Sequence, residues 1–133
     1  MKRCIPFNYF EPGQDIYFDI DRLELLEAMT GTTVTKMAVD RDNTGVGFVK
    51  KALAIGLAHN YTDFKLTDVK ISRMIEKHLD NGGTLSQLEM AVGKAIIASG
   101  IYGKTAADRA IGLIPEPEDE EAEEKNAPAA EDE

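Results

Sequence analysis

Tryptophan is absent from the 133 residues, and cysteine occurs once, at Cys4. A lone thiol forms no internal disulfide, which excludes a disulfide-stapled scaffold and fits a reducing compartment. Cys4 itself reads as a small, inert hydrophobe. The two histidines, His59 and His78, stand far apart with no thiol or carboxylate spacing around them, so no metal-ligand set is expected. His78 falls on an apolar helix face, which favours a satisfied core or boundary residue over a ligand. Long apolar runs are missing too. None approaches the ~20 residues of a membrane span. Met1-Lys2-Arg3-Cys4-Ile5-Pro6 carries two bases but no apolar core before Pro6 and Asn8, so no signal peptide is expected.

Surplus positive charge is also lacking. The chain has 15 Lys and Arg against 24 Asp and Glu, a formal net charge of -9. Ten acids and one base, Lys125, fall between Pro115 and Glu133, whereas residues 1–114 hold 14 bases and 14 acids. The low isoelectric point is therefore a tail property. A balanced body has no basic footprint for nucleic acid, and the tail would repel phosphates. Pro115-Glu116-Pro117 stops any helix, and beyond it almost no apolar side chain exceeds alanine. Residues 115–133 are expected to be disordered, because they bury too little surface to offset ordering entropy. Residues 1–114 are expected to form a single globular domain.

What is present points to an α+β domain, mainly helical. Phe7, Tyr9, Phe10, Tyr17 and Phe18 crowd the first twenty residues. Glu11-Pro12-Gly13-Gln14 carries the type II turn signature, and Ile16, Phe18 and Ile20 alternate with Tyr17 and Asp19. An N-terminal β-hairpin is expected over about 4–10 and 15–20. Four to five short helices should follow. Asp21-Arg22-Leu23-Glu24 matches a capping box opening a helix to Met29, with Gly31 closing it. Residues 32–43 read as a Thr-rich loop. Asn43 or Thr44 can cap a helix to about His59, whose wide stripe of Val46, Val49, Leu53 and Leu57 suits a central position. Thr67 opens the next, with Ile71, Met74, Ile75, His78 and Leu79 inward. Thr84-Leu85-Ser86-Gln87 is a second capping box. It starts a helix to Ser99 with Leu85, Leu88, Val92, Ala95 and Ile96 inward. A last helix should run from about Thr105 to Ile111.

Three motifs invite sharper readings. Residues 98–105, Ala-Ser-Gly-Ile-Tyr-Gly-Lys-Thr, match a relaxed phosphate loop, with Lys104 and Thr105 at the phosphate and magnesium positions. A phosphate loop should follow a buried strand, whereas this one follows a capped helix, so a helix end and a tight turn account for it better. Asp40-Arg41-Asp42-Asn43-Thr44-Gly45 starts like a calcium loop, but Lys51 occupies the position of the bidentate acid. No cofactor, no metal and no catalytic set are expected, and an enzyme is not the reading. Helix 67–80, the Gly82-Gly83 turn and helix 84–99 could form a helix-turn-helix, which leaves a small regulatory or adaptor protein as the alternative. Its second helix shows Gln87, Glu89, Met90 and Lys94 outward, a poor phosphate-seeking set. Met90, Ile97 and Ile101, at i, i+7 and i+11 and followed by Tyr102, lie on the side away from the Leu88/Val92/Ile96 stripe. They are either a second packed face or an exposed surface for an apolar partner helix.

The order of elements resembles the tail assembly chaperones of long-tailed, siphovirus-like bacteriophages and their prophages. The likeness covers about 16–104. It rests on the strand Ile16-Tyr17-Phe18, on Leu23-Glu24-Leu25-Leu26-Glu27-Ala28-Met29-Thr30-Gly31, and on Ala54-Ile55-Gly56-Leu57-Ala58-His59. Leu66-Thr67-Asp68-Val69 and a final helix running into Ala98-Ser99-Gly100-Ile101-Tyr102-Gly103 complete it. The resemblance implies a non-enzymatic protein of the bacterial host cytoplasm, absent from the mature virion. It implies binding to the tape measure protein, transient contact with the tail tube protein, and no nucleic-acid or membrane partner. Association with copies of itself remains open. No family motif assigns contact residues, so Met90, Ile97, Ile101 and Tyr102 are the protein-binding candidates from helix faces alone. The resemblance also implies a longer frameshifted product. Glu124-Lys125-Asn126 can be encoded with a slippery heptamer, and the codons of the gene decide it.

Overall fold

Pro12 and Gly13 set the first turn. Gly13 has φ of 82°, the positive value that the third position of a type II turn requires. In the computed structural model, which describes residues 3–39 and 45–112, this turn joins β1 (Ile5–Phe7) to β2 (Gln14–Ile16). The strands are antiparallel, with Ile5 opposite Ile16 and Phe7 opposite Gln14. Ile5, Phe7 and Ile16 are buried on one face. The hairpin is shorter than its pattern suggested. Ile20 does not extend β2, because Asp19 turns the chain into a helix. The Asp19 side chain accepts from the Arg22 amide, so the cap lies two residues ahead of the expected Asp21.

Among the described residues six α-helices follow, against the four to five expected. They are α1 (Ile20–Thr30), α2 (Val34–Val39), α3 (Val46–Gly56), α4 (Asp68–Asp80), α5 (Leu85–Ala98) and α6 (Lys104–Ala110), with a 3-10 turn at Ala58–Asn60. The additional one is α2, inside the segment expected to be a loop. Its β-branched residues favour no helix by propensity. Tertiary contacts override this. The Glu27 carboxylate accepts from the Val34 amide at 2.8 Å, the Thr33 hydroxyl caps Lys36, and Met37 is buried.

Local signals elsewhere form as written. Gly31, in the left-handed region, closes α1. Thr67 caps α4, and Thr84 with Gln87 forms a reciprocal capping box on α5. Helix α3 packs on α1, α4 and α5 and is the hub of the core. Val49, Ala52, Leu53 and Leu57 on its stripe are fully buried, whereas Val46 is exposed. Each such large side chain contributes about 1.5–3 kcal/mol by leaving water. Helix α4 buries Ile71, Ile75 and His78. Leu79, expected inward, is exposed, because the i, i+4, i+7 line ends on the imidazole one residue earlier. Among the described residues no helix is long and apolar enough to cross a membrane. Asn43, Thr44, nearly all of the calcium-like segment, the 114/115 boundary and the acidic tail lie outside the described residues.

Candidate functional site

Helix α5 is anchored on its inner side by Leu88, Val92, Ala95 and Ile96, all buried against the hairpin, α3 and α6. That anchoring turns the opposite side outward. Met90 is 72% exposed, Ile97 37%, Ile101 40% and Tyr102 38%. Met90 and Ile97, seven residues apart, share the outer side of α5, whereas Ile101 and Tyr102 lie beyond its end, in the turn that follows Gly100. Gly93 lies between Met90 and Ile97, and a Cβ built there meets no atom within 4 Å. A glycine inside a helix costs about 1 kcal/mol relative to alanine, and among the described residues nothing packed on Gly93 requires it. The effect is a notch where another backbone could approach closely.

The turn beyond α5 is held firmly. Gly100 and Gly103 take positive φ values of 92° and 113° at the turn after α5. The Ser99 hydroxyl bridges Ile96 O and the Ile101 amide, and the Gly103 amide donates to Gly100 O. The Tyr102 hydroxyl donates to Val34 O at 2.6 Å, strapping this turn to α2. Burial pushes the Tyr102 hydroxyl above the usual tyrosine pKa of about 10. Ionisation would also forfeit the bond to Val34. Tyr61 is raised by burial as well, with its Gln14 hydrogen bond opposing and Glu11 adding to the rise. A raised folded-state value means that these phenols stabilise the fold fully below their unfolded pKa and lose that contribution as pH climbs past the folded one. An ultraviolet absorbance titration should show late-ionising tyrosines, and Tyr102→Phe should remove one of them.

The turn from 98 to 105 therefore has no phosphate-loop geometry. It joins two helices, and Lys104 is engaged by Asp108 at 2.8 Å, one helical turn on. Asp108 is buried, and its other oxygen faces Arg3 Nε at 4.0 Å, which ties the start of the described chain to α6.

A polar network without a sequence motif joins β2, α1 and the end of α3. Arg22 of α1 donates through Nη1 to Gly56 O at 3.1 Å and to Tyr17 O at 3.4 Å. The same nitrogen meets His59 Nδ1 at 3.1 Å, and the guanidinium stacks 3.9 Å over the Tyr17 ring. His59 Nε2 bonds Asp15 of β2. Because arginine only donates, Nδ1 accepts and Nε2 carries the proton. Both ring nitrogens are occupied, so this Asp-His-Arg set has no nitrogen left to relay a proton to a substrate. The Asn60 amide completes it, donating to Asp15 O at 2.7 Å and Leu57 O at 3.1 Å. The network is a brace between β2, α1 and the end of α3. It also explains the glycine of Gly56-Leu57-Ala58-His59. A Cβ at Gly56 would sit 2.7 Å from Ile16 Cγ1.

His78 is buried, with Nε2 at 3.0 Å from Thr84 O. Its ring lies against Gly83 and edge-on to Tyr9. A cleft of about 740 Å³ opens above it, between the hairpin turn and the α4–α5 turn. Among the described residues no group of three or more His, Cys, Asp or Glu is placed to hold a metal ion. Comparison of the chain with models of protein families, with curated proteins and with solved structures finds no match.

Proposed function

We propose that this chain is a tail assembly chaperone of a long-tailed bacteriophage or prophage, binding the tape measure protein along the outer ridge of α5. The carrying observation is the exposed apolar set of Met90 and Ile97 on the capped helix α5, with Ile101 and Tyr102 exposed in the turn just beyond it. Such a surface suits an amphipathic or apolar helix laid against it, read at i, i+3/i+4 and i+7 spacing. Many weak, repeated contacts along a very long partner would sum to firm retention. The charge of residues 115–133 would keep the assembly dispersed while the partner's apolar faces are covered. In this reading the protein works in the host cytoplasm, holds the partner until tube subunits displace it, and is left out of the virion. It is not an enzyme.

The alternative, a helix-turn-helix regulator built on α4 and α5, would place Glu89 and Met90 on the face meant for the major groove. Duplex binding that persists at moderate salt would favour it.

The test is co-expression of the full chain with fragments of a candidate tape measure protein. The fragments should become soluble and co-purify. Met90→Asp combined with Ile97→Asp should cut recovery of the partner by about tenfold or more, since apolar anchors carry most helix-in-groove affinity. The circular dichroism and urea midpoint should barely change, as expected of exposed positions. Fragments that stay insoluble with the unaltered protein would end the proposal.

A further inference from the structure

We propose that the cleft between the hairpin turn and the α4–α5 turn is a receptor for the chain's own Pro115-Glu116-Pro117 segment. One wall is Asn8, Tyr9, Phe10 and Glu11; the other is Met74, Lys77, His78, Asn81 and Gln87, with Gly82 and Gly83 between. The walls are fixed before any ligand arrives. Tyr9 is set edge-on to Phe7 at 5.3 Å and to His78 at 5.4 Å, and Phe10 edge-on to Phe7 at 5.1 Å. The His78 imidazole beneath is held by Thr84 O. Preformed walls spare the ordering cost of binding.

The polar groups of the cleft are predominantly donors. Asn8 Oδ1 is already taken by the Gly13 amide at 2.8 Å, and Gln87 Oε1 by the Thr84 amide at 3.0 Å. Each side chain therefore keeps its NH2 for a ligand. Asn81 adds another amide, and Lys77 adds an ammonium without an ion pair among the described residues. Glu11, the acid of the lining, stands near Tyr61 on the hairpin side. Aromatic faces beside amide donors suit an extended polyproline segment. Its prolines pack on rings, and its carbonyls, which make no internal hydrogen bonds, need donors.

Pro115-Glu116-Pro117 is the Pro-x-Pro sequence of this chain, and Glu116, Glu118 and Asp119 supply carboxylates for Lys77. The described residues end at Gly112, after α6 has packed on α5, the helix whose first turn contributes Gln87. The cleft shares no residue with the α5 ridge, so this inference and the chaperone reading can fail separately.

The experiment uses the full chain at low micromolar concentration, treated with a carbodiimide that joins touching amines and carboxylates, with the links mapped by mass spectrometry. Lys77 should link to Glu116, Glu118 or Asp119 at least fivefold more often than the exposed Lys65 and Lys94 do. Pro115→Ala with Pro117→Ala keeps every acid and every described contact, and should bring Lys77 down to the level of those lysines. Equal yields at all three lysines would overturn the proposal. So would enrichment that survives loss of both prolines, which would mean charge alone. A mixture of nitrogen-14 and nitrogen-15 chains separates links within a chain from links between copies, and predominance of the latter would also overturn it.

Discussion

Gly83→Ala should destabilise the protein by roughly 2–4 kcal/mol, within the range of mutations that displace a buried, hydrogen-bonded group. A Cβ at this position would fall inside the van der Waals envelope of the His78 ring. The imidazole would have to swing out, giving up its place in the interior, its bond to Thr84 O and its edge contact with Tyr9. The Gly83 amide, which donates to His78 O at 2.9 Å, would be strained by the same movement. Urea denaturation measures the loss. A second variant isolates the cause. His78→Ala alone should cost about 1–3 kcal/mol, and adding Gly83→Ala to it should cost little more, because the colliding ring is gone. Full additivity of the two losses would show that the steric account is wrong.

Arg22→Ala is expected to cost about 3 kcal/mol, with a fall in melting temperature of roughly 10 °C or more. The guanidinium serves Gly56 O, Tyr17 O and His59 Nδ1 and covers the Tyr17 ring. Alanine would take one donor away from each of these partly buried acceptors and remove the stacking, itself about 0.5–2 kcal/mol. Arg22→Lys should recover less than half of the loss, because an ammonium lacks the planar fork and stacks poorly. Calorimetry on the three proteins orders them. If lysine restored full stability, the brace would be a matter of charge alone.

The parts of the fold legible from sequence are those decided within four residues. Thr84 and Gln87 answer one another across a single turn, Thr67 caps its own helix, and Gly13 and Gly31 take up the positive φ that their turns demand. Helix α2 escaped because, beyond its local Thr33 cap, it is held by Glu27 and Tyr102, one in another helix and one 68 residues from Val34. The arginine–histidine brace escaped for the same reason. Arg22 and His59 are 37 residues apart and Asp15 and His59 are 44, and no spacing rule links them. Gly56 ends an apolar helix without a positive φ and marks the close approach of Ile16 and Phe18, but in the sequence alone it is indistinguishable from a left-handed cap such as Gly31. The outer ridge of α5 was legible as a period, but its exposure was not. A two-sided apolar helix is ambiguous until its neighbours are placed, and α6 covers the other side.

Asn60 carries a consequence for the small sheet. A two-stranded ribbon leaves unpaired backbone groups along both flanks, which invite another chain to zip on. Beside β2 the Asn60 side chain takes the Asp15 amide at 3.4 Å and gives to the Asp15 carbonyl at 2.7 Å, as a neighbouring peptide unit would. Two residues on, the Tyr17 amide is taken by Gly56 O at 3.3 Å. One carboxamide and one helix end thus impersonate a third strand. An intruding peptide would find that flank already occupied, and amyloid-style stacking through β2 would first have to evict them.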